Sequence, residues 1–264
     1  MSVERTTYLD RIISRHRVIA SRDDRSPSEL RVACDALPVT RGFTRRLRAD
    51  SDGALAVIAE VKRRSPSKGD LNADLDPAAV AVAYRDGGAS CLSVLTDEEH
   101  FGGSVRDLTE ARASVDLPVI RKDFTVAVND VYDARLMGAD CVLLIAAALT
   151  PDELVHFHNE AEAIGLDVLV EIHDESELEL ALQVGASLVG VNQRDLVTFE
   201  VDHERALRMA PLIPDGVVRV AESGVRGAAD AAALRMAGYH AVLVGESLVT
   251  SGDPRAAVAA LRSA

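Results

Sequence analysis

Eight short apolar runs recur from residue 55 onward, and an amphipathic stretch follows each one. The runs are Ala56–Lys62, Cys91–Leu95, Val119–Lys122, Cys141–Ile145, Asp167–Glu171, Leu188–Asn192, Val217–Ala221 and Ala241–Val244. They are continuous rather than alternating, as in strands of a parallel sheet covered on both faces. Between them the spacing predicts helices over Pro77–Arg85, Val131–Met137, Pro151–Ala163, Ser176–Leu182 and Ala228–Ala237. Asp76-Pro77, Thr150-Pro151 and Asp253-Pro254 each place a capping side chain before a proline suited to the first helical position. Several helices end in glycine just before the next strand, as at Gly138-Ala139-Asp140 and Gly238-Tyr239-His240. Eight such units imply an α/β fold, a closed (β/α)8 TIM barrel, and the 264 residues match the roughly 250 that such a barrel uses. A doubly wound open sheet is the alternative, but the chain carries no Gly-rich dinucleotide loop.

The first 50 residues do not follow this repeat. Tyr8, Leu9, Ile12, Ile13 and Ile19 form one face of a helix. Pro27–Leu37 reads as a second short helix capped by Ser26, and Arg45–Gly53 as a polar connector. The expectation is one domain over 1–264, with residues 1–50 a helical extension packed on a barrel formed by 55–264.

The formal net charge of −13 argues against nucleic acid or an anionic membrane as partner, although a local basic pocket can still hold one phosphate. No apolar run reaches the roughly 20 residues of a membrane span, and the N-terminus lacks the apolar stretch of a signal peptide. The expected location is cytoplasmic, and without an exposed apolar stripe the expected state is a monomer. Cys34, Cys91 and Cys141 form no CxxC pair, and the seven histidines show no ligand spacing, so neither metal nor cofactor is expected. Cys91 and Cys141, inside apolar runs, read as small hydrophobes. Asp97-Glu98-Glu99 reads as a solvated loop, and His173 as an ordinary loop residue.

Only three of the 29 basic residues are lysines: Lys62, Lys68 and Lys122. In a chain that uses Arg almost everywhere, a retained Lys is a candidate for chemistry, because its pKa can be tuned and that of Arg cannot. Catalytic groups of this fold sit at the C-terminal ends of the strands. There the sequence places Glu60 and Lys62, Lys122, Glu171, Asn192, Glu222-Ser223 and Gly245-Glu246-Ser247. Unpaired charge is costly to bury, so this convergence reads either as an active site or as a self-satisfied ion-pair network. Small residues after the seventh and eighth strands commonly hold phosphate through backbone N–H groups, here Ser223-Gly224 and Gly245-Glu246-Ser247. Ser65-Pro66-Ser67 can add hydroxyl donors. A small phosphorylated substrate follows.

The segments IAEVKRRSPSKG (58–69), SVLTDEEHFGGS (93–104), PVIRKDF (118–124), GADCVLLIAAAL (138–149), LVEIHDESELE (169–179), GVNQRDLVTFEVD (190–202), AESGV (221–225) and LVGESL (243–248) carry a resemblance to the indole-3-glycerol phosphate synthase family, from about Tyr8 to the last helix. The first and third are together highly specific, whereas many phosphate-binding barrels share the last. The resemblance implies catalytic roles for Lys122 as principal acid, and for Lys62, Glu60, Glu171, Asn192, Glu222 and Ser223. It implies substrate or phosphate contacts from Ser65, Gly224, Gly245, Glu246, Ser247 and Arg194, with Phe101 and Phe124 enclosing an anthranilate ring. The extension would lie over the mouth. The loop DEEHFGG departs from the family, where relatives often carry a second aromatic and a glutamine. The implied reaction is ring closure, decarboxylation and dehydration of 1-(2-carboxyphenylamino)-1-deoxyribulose 5-phosphate, with no cofactor and no metal. The competing readings are phosphoribosylanthranilate isomerase, a Schiff-base aldolase with one nucleophilic lysine, and a non-catalytic phosphosugar-binding barrel.

Overall fold

Eight parallel strands close on themselves in a computed structural model that describes residues 7–66 and 68–264. They are β1 (Ala56–Val61), β2 (Cys91–Leu95), β3 (Val119–Lys122), β4 (Cys141–Ile145), β5 (Asp167–Ile172), β6 (Leu188–Asn192), β7 (Val218–Glu222) and β8 (Ala241–Val244). β1 pairs with β2 on one side (Ile58 opposite Cys91) and with β8 on the other (Ala56 opposite Ala241), which completes the barrel. The expected strands hold to within one residue at each end. Lys62 and Ser223 therefore lie just past the strands they were read with, while Glu222 is the last residue of β7.

Strand parity builds two apolar layers. Ala56, Ile58, Ile120, Leu143, Leu169, Leu188, Val220 and Leu243 point inward and fill the barrel, while Val57, Ala59, Val119, Val142, Val170 and Val189 face the surrounding helices. The expected caps form. Asp76 accepts from the amides of Ala78 and Ala79, and Thr150 and Glu153 form a reciprocal pair. Gly138 and Gly238 turn the chain with φ of 93° and 92°. Ser26 makes no capping bond; its hydroxyl pairs with that of Ser28. The helix expected from Val131 starts at Val128, because Asp130 accepts the amides of Val126 and Ala127 ahead of it.

Among the described residues three helices precede the barrel: α1 (Tyr8–Ala20), α2 (Pro27–Asp35) and α3 (Phe43–Asp50); the first six residues of the expected extension lie outside the described residues. α1 is tied to the mouth by Arg17, which pairs with Glu153 at 2.7 Å and donates to the Ala148 carbonyl. α2 packs on the helix Val128–Leu136, with Arg25 on Asp133 at 2.8 Å and Cys34 buried against the Tyr132 carbonyl. α3 corrects the polar connector expected over Arg45–Gly53. Its Phe43 and Leu47, one turn apart, are wholly buried and close the bottom of the barrel against Ile58, Leu188 and Val218. Burying each contributes about 1.5–3 kcal/mol. No helix among the described residues is long and apolar enough to cross a membrane.

Candidate active site at the mouth of the barrel

The inward parity that fills the barrel with aliphatic residues delivers charge at its top. In β1 the inward series Ala56, Ile58 continues to Glu60 and then Lys62; in β3 Ile120 is followed by Lys122; in β5 Leu169 by Glu171; in β6 Leu188 and Gly190 by Asn192; in β7 Val218 and Val220 by Glu222. Glu60, Glu171, Asn192 and Glu222 are buried, and both lysines are half-buried. Six of the expected residues, from five strands, thus meet at the mouth of the barrel.

Lys122 Nζ lies 3.2 Å from Oε2 of Glu171, and Asn192 Nδ2 donates to Oε1 of the same carboxylate at 3.0 Å. Lys62 Nζ pairs with Oε1 of Glu60 at 2.6 Å, and Ser93 on β2 donates to Oε2 of Glu60 at 3.2 Å. Oε1 of Glu222 is buried without a hydrogen-bond partner and rests on Gly190, where a Cβ would overlap it. A Cβ on Gly245 would likewise collide with the Glu60 carboxylate, so both glycines are demanded by carboxylates that need room.

Three carboxylates around two ammonium groups set the proton inventory. Burial pulls the pKa of Lys122 down, but Glu171, Glu222 and Glu60 outweigh it, and the net shift is upward. Burial pushes Glu171 up, yet Lys122, His173 and the Asn192 amide reverse this and hold it ionised. Glu222 goes the other way: burial, then the charge of Glu171, raise it well above the ordinary carboxylate range. Lys122 is thus held cationic and Glu171 anionic, while Glu222 is the carboxyl that keeps its proton to the highest pH, an arrangement able both to give and to take a proton.

The predicted phosphate side consists of backbone more than side chains. Ser223 and Gly224 both adopt positive φ (63° and 73°), a tight turn braced by Gln193 on the Ser223 carbonyl. The short helix Glu246–Val249 begins after Gly245, so its first amides have no partner within the helix. The Ser247 hydroxyl donates to the Val225 carbonyl, which leaves its amide as the group free for a ligand. The Glu246 carboxylate lies 3.9 Å from Arg194 and would repel an anion, so its suitable contribution is also the amide. Arg194 donates to the Phe199 carbonyl and, through its amide, to Asn192. Ser65 sits in a two-stranded ribbon (Arg64–Ser65 with Gly69–Asp70), where its hydroxyl accepts the Lys68 amide and remains a donor. Lys68 itself is exposed, and Ser67 lies outside the described residues. Phe101 and Phe124 face each other at 6.3 Å, with His16 of α1 at 5.4 Å from Phe124.

Sequence reading missed the latch that holds α1 over this mouth. Asp97 is buried, not solvated; it accepts from His16 Nε2 at 3.0 Å and from the His100 amide at 2.6 Å, whereas Glu98 and Glu99 are exposed as expected. Tyr8 meets His100 and Phe199 edge-on at 5.7 and 5.1 Å. Ligand atoms of His16, Asp97 and Asp123 lie within 4.8 Å of one another, a grouping no local spacing reveals. Asp123 is already held by Arg121 at 3.0 Å and by the Phe124 amide, and a guanidinium at that point opposes a cation. Ser93, the second partner of the Glu60 carboxylate beside Lys62, carried one signal in the sequence, its inward parity in β2.

Residues 9–261 match the family described as indole-3-glycerol phosphate synthase. The indole-3-glycerol phosphate synthases of Mycobacterium bovis and Mycobacterium tuberculosis are each 49% identical over 260 residues, 98% of this chain and 94% of theirs. That of Mycobacteroides abscessus is 54% identical over 210 residues, 80% of this chain and 77% of its own. Among solved structures, a thiamine phosphate pyrophosphorylase from Pyrococcus furiosus superposes with a TM-score of 0.59 at 18% identity, over 79% of this chain and 94% of that one. At that identity the likeness concerns the barrel alone.

Proposed function

The chain belongs to the indole-3-glycerol phosphate synthase family, and from that premise we propose how its mouth residues divide the work. The protein is a carbon–carbon lyase of tryptophan biosynthesis. It converts 1-(2-carboxyphenylamino)-1-deoxyribulose 5-phosphate to indole-3-glycerol phosphate, carbon dioxide and water.

The observation that carries the assignment is the Lys122–Glu171 contact of 3.2 Å in the centre of the mouth. Lys122 donates its proton to the ribulose carbonyl oxygen as the aromatic carbon attacks. Lys62 pairs with the substrate carboxylate and holds the chain folded for closure. Loss of carbon dioxide restores aromaticity. In the dehydration Glu171 takes the ring-side proton while Lys62 protonates the departing hydroxyl. Glu171 then returns its proton to Lys122 across their contact, and solvent recharges Lys62. One proton is consumed per turnover, as the conversion of a carboxylate to carbon dioxide requires. The equation is redox-neutral, so it closes without an electron carrier. Glu60 orients Lys62, Asn192 orients Glu171, and Glu222 with Ser223 borders the leaving hydroxyl. Phosphate is held by Ser65 and Arg194 and by the backbone of Gly224, Gly245, Glu246 and Ser247, and the aromatic ring lies between Phe101 and Phe124. We further read residues 1–264 as a single domain, with 1–50 its extension, acting as a monomer in the cytoplasm.

The test is indole fluorescence on mixing with substrate; the chain has no Trp, so the background is low. A rise that survives EDTA is expected. Lys122→Met should lower kcat about 10²–10⁴-fold with KM little changed. Near-normal turnover in that variant would remove Lys122 from the reaction.

A further inference from the structure

His173 follows β5 directly and, two residues beyond Glu171, leans to the same side of the chain. Its Nδ1 lies 3.0 Å from Oε2 of Glu177, which also accepts the His173 amide at 2.7 Å. Its Nε2 is buried, has no hydrogen-bond partner, and lies 3.8 Å from Oε1 of Glu171. A ring with a carboxylate oxygen facing each nitrogen is favourable when both nitrogens carry protons. Either neutral tautomer turns a lone pair toward one of the carboxylates.

We propose that His173, fixed by Glu177, is a positioning residue for Glu171: its imidazolium faces Oε1 while Lys122 holds Oε2, clamping the carboxylate between two cations. The inference rests on the reading of Glu171 as the dehydration base. The charged groups around the ring support it. Glu177 comes from the helix Glu175–Gln183, Asp174 from its N-cap and Glu171 from β5; Arg205, at the start of the helix Arg205–Met209, opposes them. Burial lowers the pKa of the ring, but Glu177 and Glu171 outweigh burial and Arg205, and the net shift is upward. The effect on Glu171 is reciprocal, since His173 is one of the groups that keep it ionised. A base clamped in this way stays available at lower pH and cannot swing off the substrate.

The experiment is the pH dependence of kcat in the wild type, His173→Gln, Glu177→Gln and Glu171→Gln, together with the ring-nitrogen NMR of the wild type. Gln at 173 keeps an N–H donor and discards the charge. His173→Gln should move the acid limb of kcat upward by about one pH unit and cost about tenfold near the limb, with KM within about twofold. Glu177→Gln should move the limb the same way by less. At pH 6.5 the His173 ring should be predominantly doubly protonated, assigned by its loss in His173→Gln. A purely structural role would lower the melting temperature without moving the limb. An unmoved limb in both variants, or a neutral ring at pH 6.5, overturns the clamp. Near-normal kcat in Glu171→Gln would instead overturn the base assignment, while the ring NMR still decides whether the clamp exists.

Discussion

Both ends of the barrel bury charge, and they do so in opposite ways. At the bottom, Asp140 has no exposed surface and every oxygen is met: Arg112 donates to both, the Arg41 amide to one and the Val119 amide to the other. Below it Phe43 and Leu47 of α3 seal the interior, and Arg41 caps the carbonyls of Val115 and Leu117. At the mouth, Glu60, Glu171 and Glu222 crowd two lysines, and Oε1 of Glu222 is left without a partner. The bottom is a solved electrostatic problem, whereas the mouth keeps one unsolved. Burial, with the charge of Glu171, raises Glu222, while Lys122 and His173 hold Glu171 down, and such a spread of proton affinities is what an acid–base site requires. In this fold the N-terminal face serves stability and the C-terminal face serves chemistry; here the two carboxylates compared differ in that way, both oxygens of Asp140 having partners and Oε1 of Glu222 none.

Substitutions at the two ends should therefore dissociate. The largest effect is expected at Glu171. Glu171→Gln should cost about 10²–10⁴-fold in kcat with a smaller fall in the urea midpoint than the bottom substitutions give, because loss of the Lys122 ion pair is offset in part by relief among three crowded carboxylates. At the bottom, Asp140→Ala strands the Arg112 guanidinium and should cost about 3–5 kcal/mol in equilibrium unfolding, while the folded fraction keeps its kcat. Leu47→Ala should behave alike, at about 2–5 kcal/mol. If either bottom substitution lowered kcat of the folded protein tenfold, the division between the ends would fail. Glu222→Gln gives the smallest and most diagnostic shift. Glu222 has a raised pKa in the fold, so it binds a proton that the unfolded chain releases above about 4.3. Folded protein then holds more protons than unfolded, and stability is lost as pH rises through that window. Glutamine, always neutral, escapes the loss. The variant should match the wild type at pH 4 and exceed it at pH 7.5 in denaturant titrations; parallel curves would mean that Glu222 is not held neutral.

How far the sequence could be read depended on whether the signal was local. The strands stood out because a parallel barrel is covered on both faces, so each run is apolar throughout. Lys62 and Lys122 stood out because Arg replaces Lys nearly everywhere else. α3 was missed because FTRRLRAD offers only Phe43 and Leu47 amid four charged residues, the pattern of a solvated connector; burial under the barrel gives those two side chains their weight. Asp97 read as the first of three solvated acids, and only the arrival of His16 from α1 takes it out of water. His173 also read as loop although Glu171 and Glu177 are both close to it in sequence; what the sequence did not show is that the ring is buried between them at the mouth.

By itself the sequence determined the periodic skeleton, its closure into a barrel, and which residues stand at the strand ends. Those follow from side-chain parity and apolar pattern, which act over a few residues. Tertiary structure decided which end charges are satisfied and which are not. It paired Lys122 with Glu171 and Lys62 with Glu60, left Oε1 of Glu222 without a partner over Gly190, and set His173 between two carboxylates. Proton affinities depend on burial and on charges a few ångströms away, and in a barrel those neighbours come from strands dozens of residues apart.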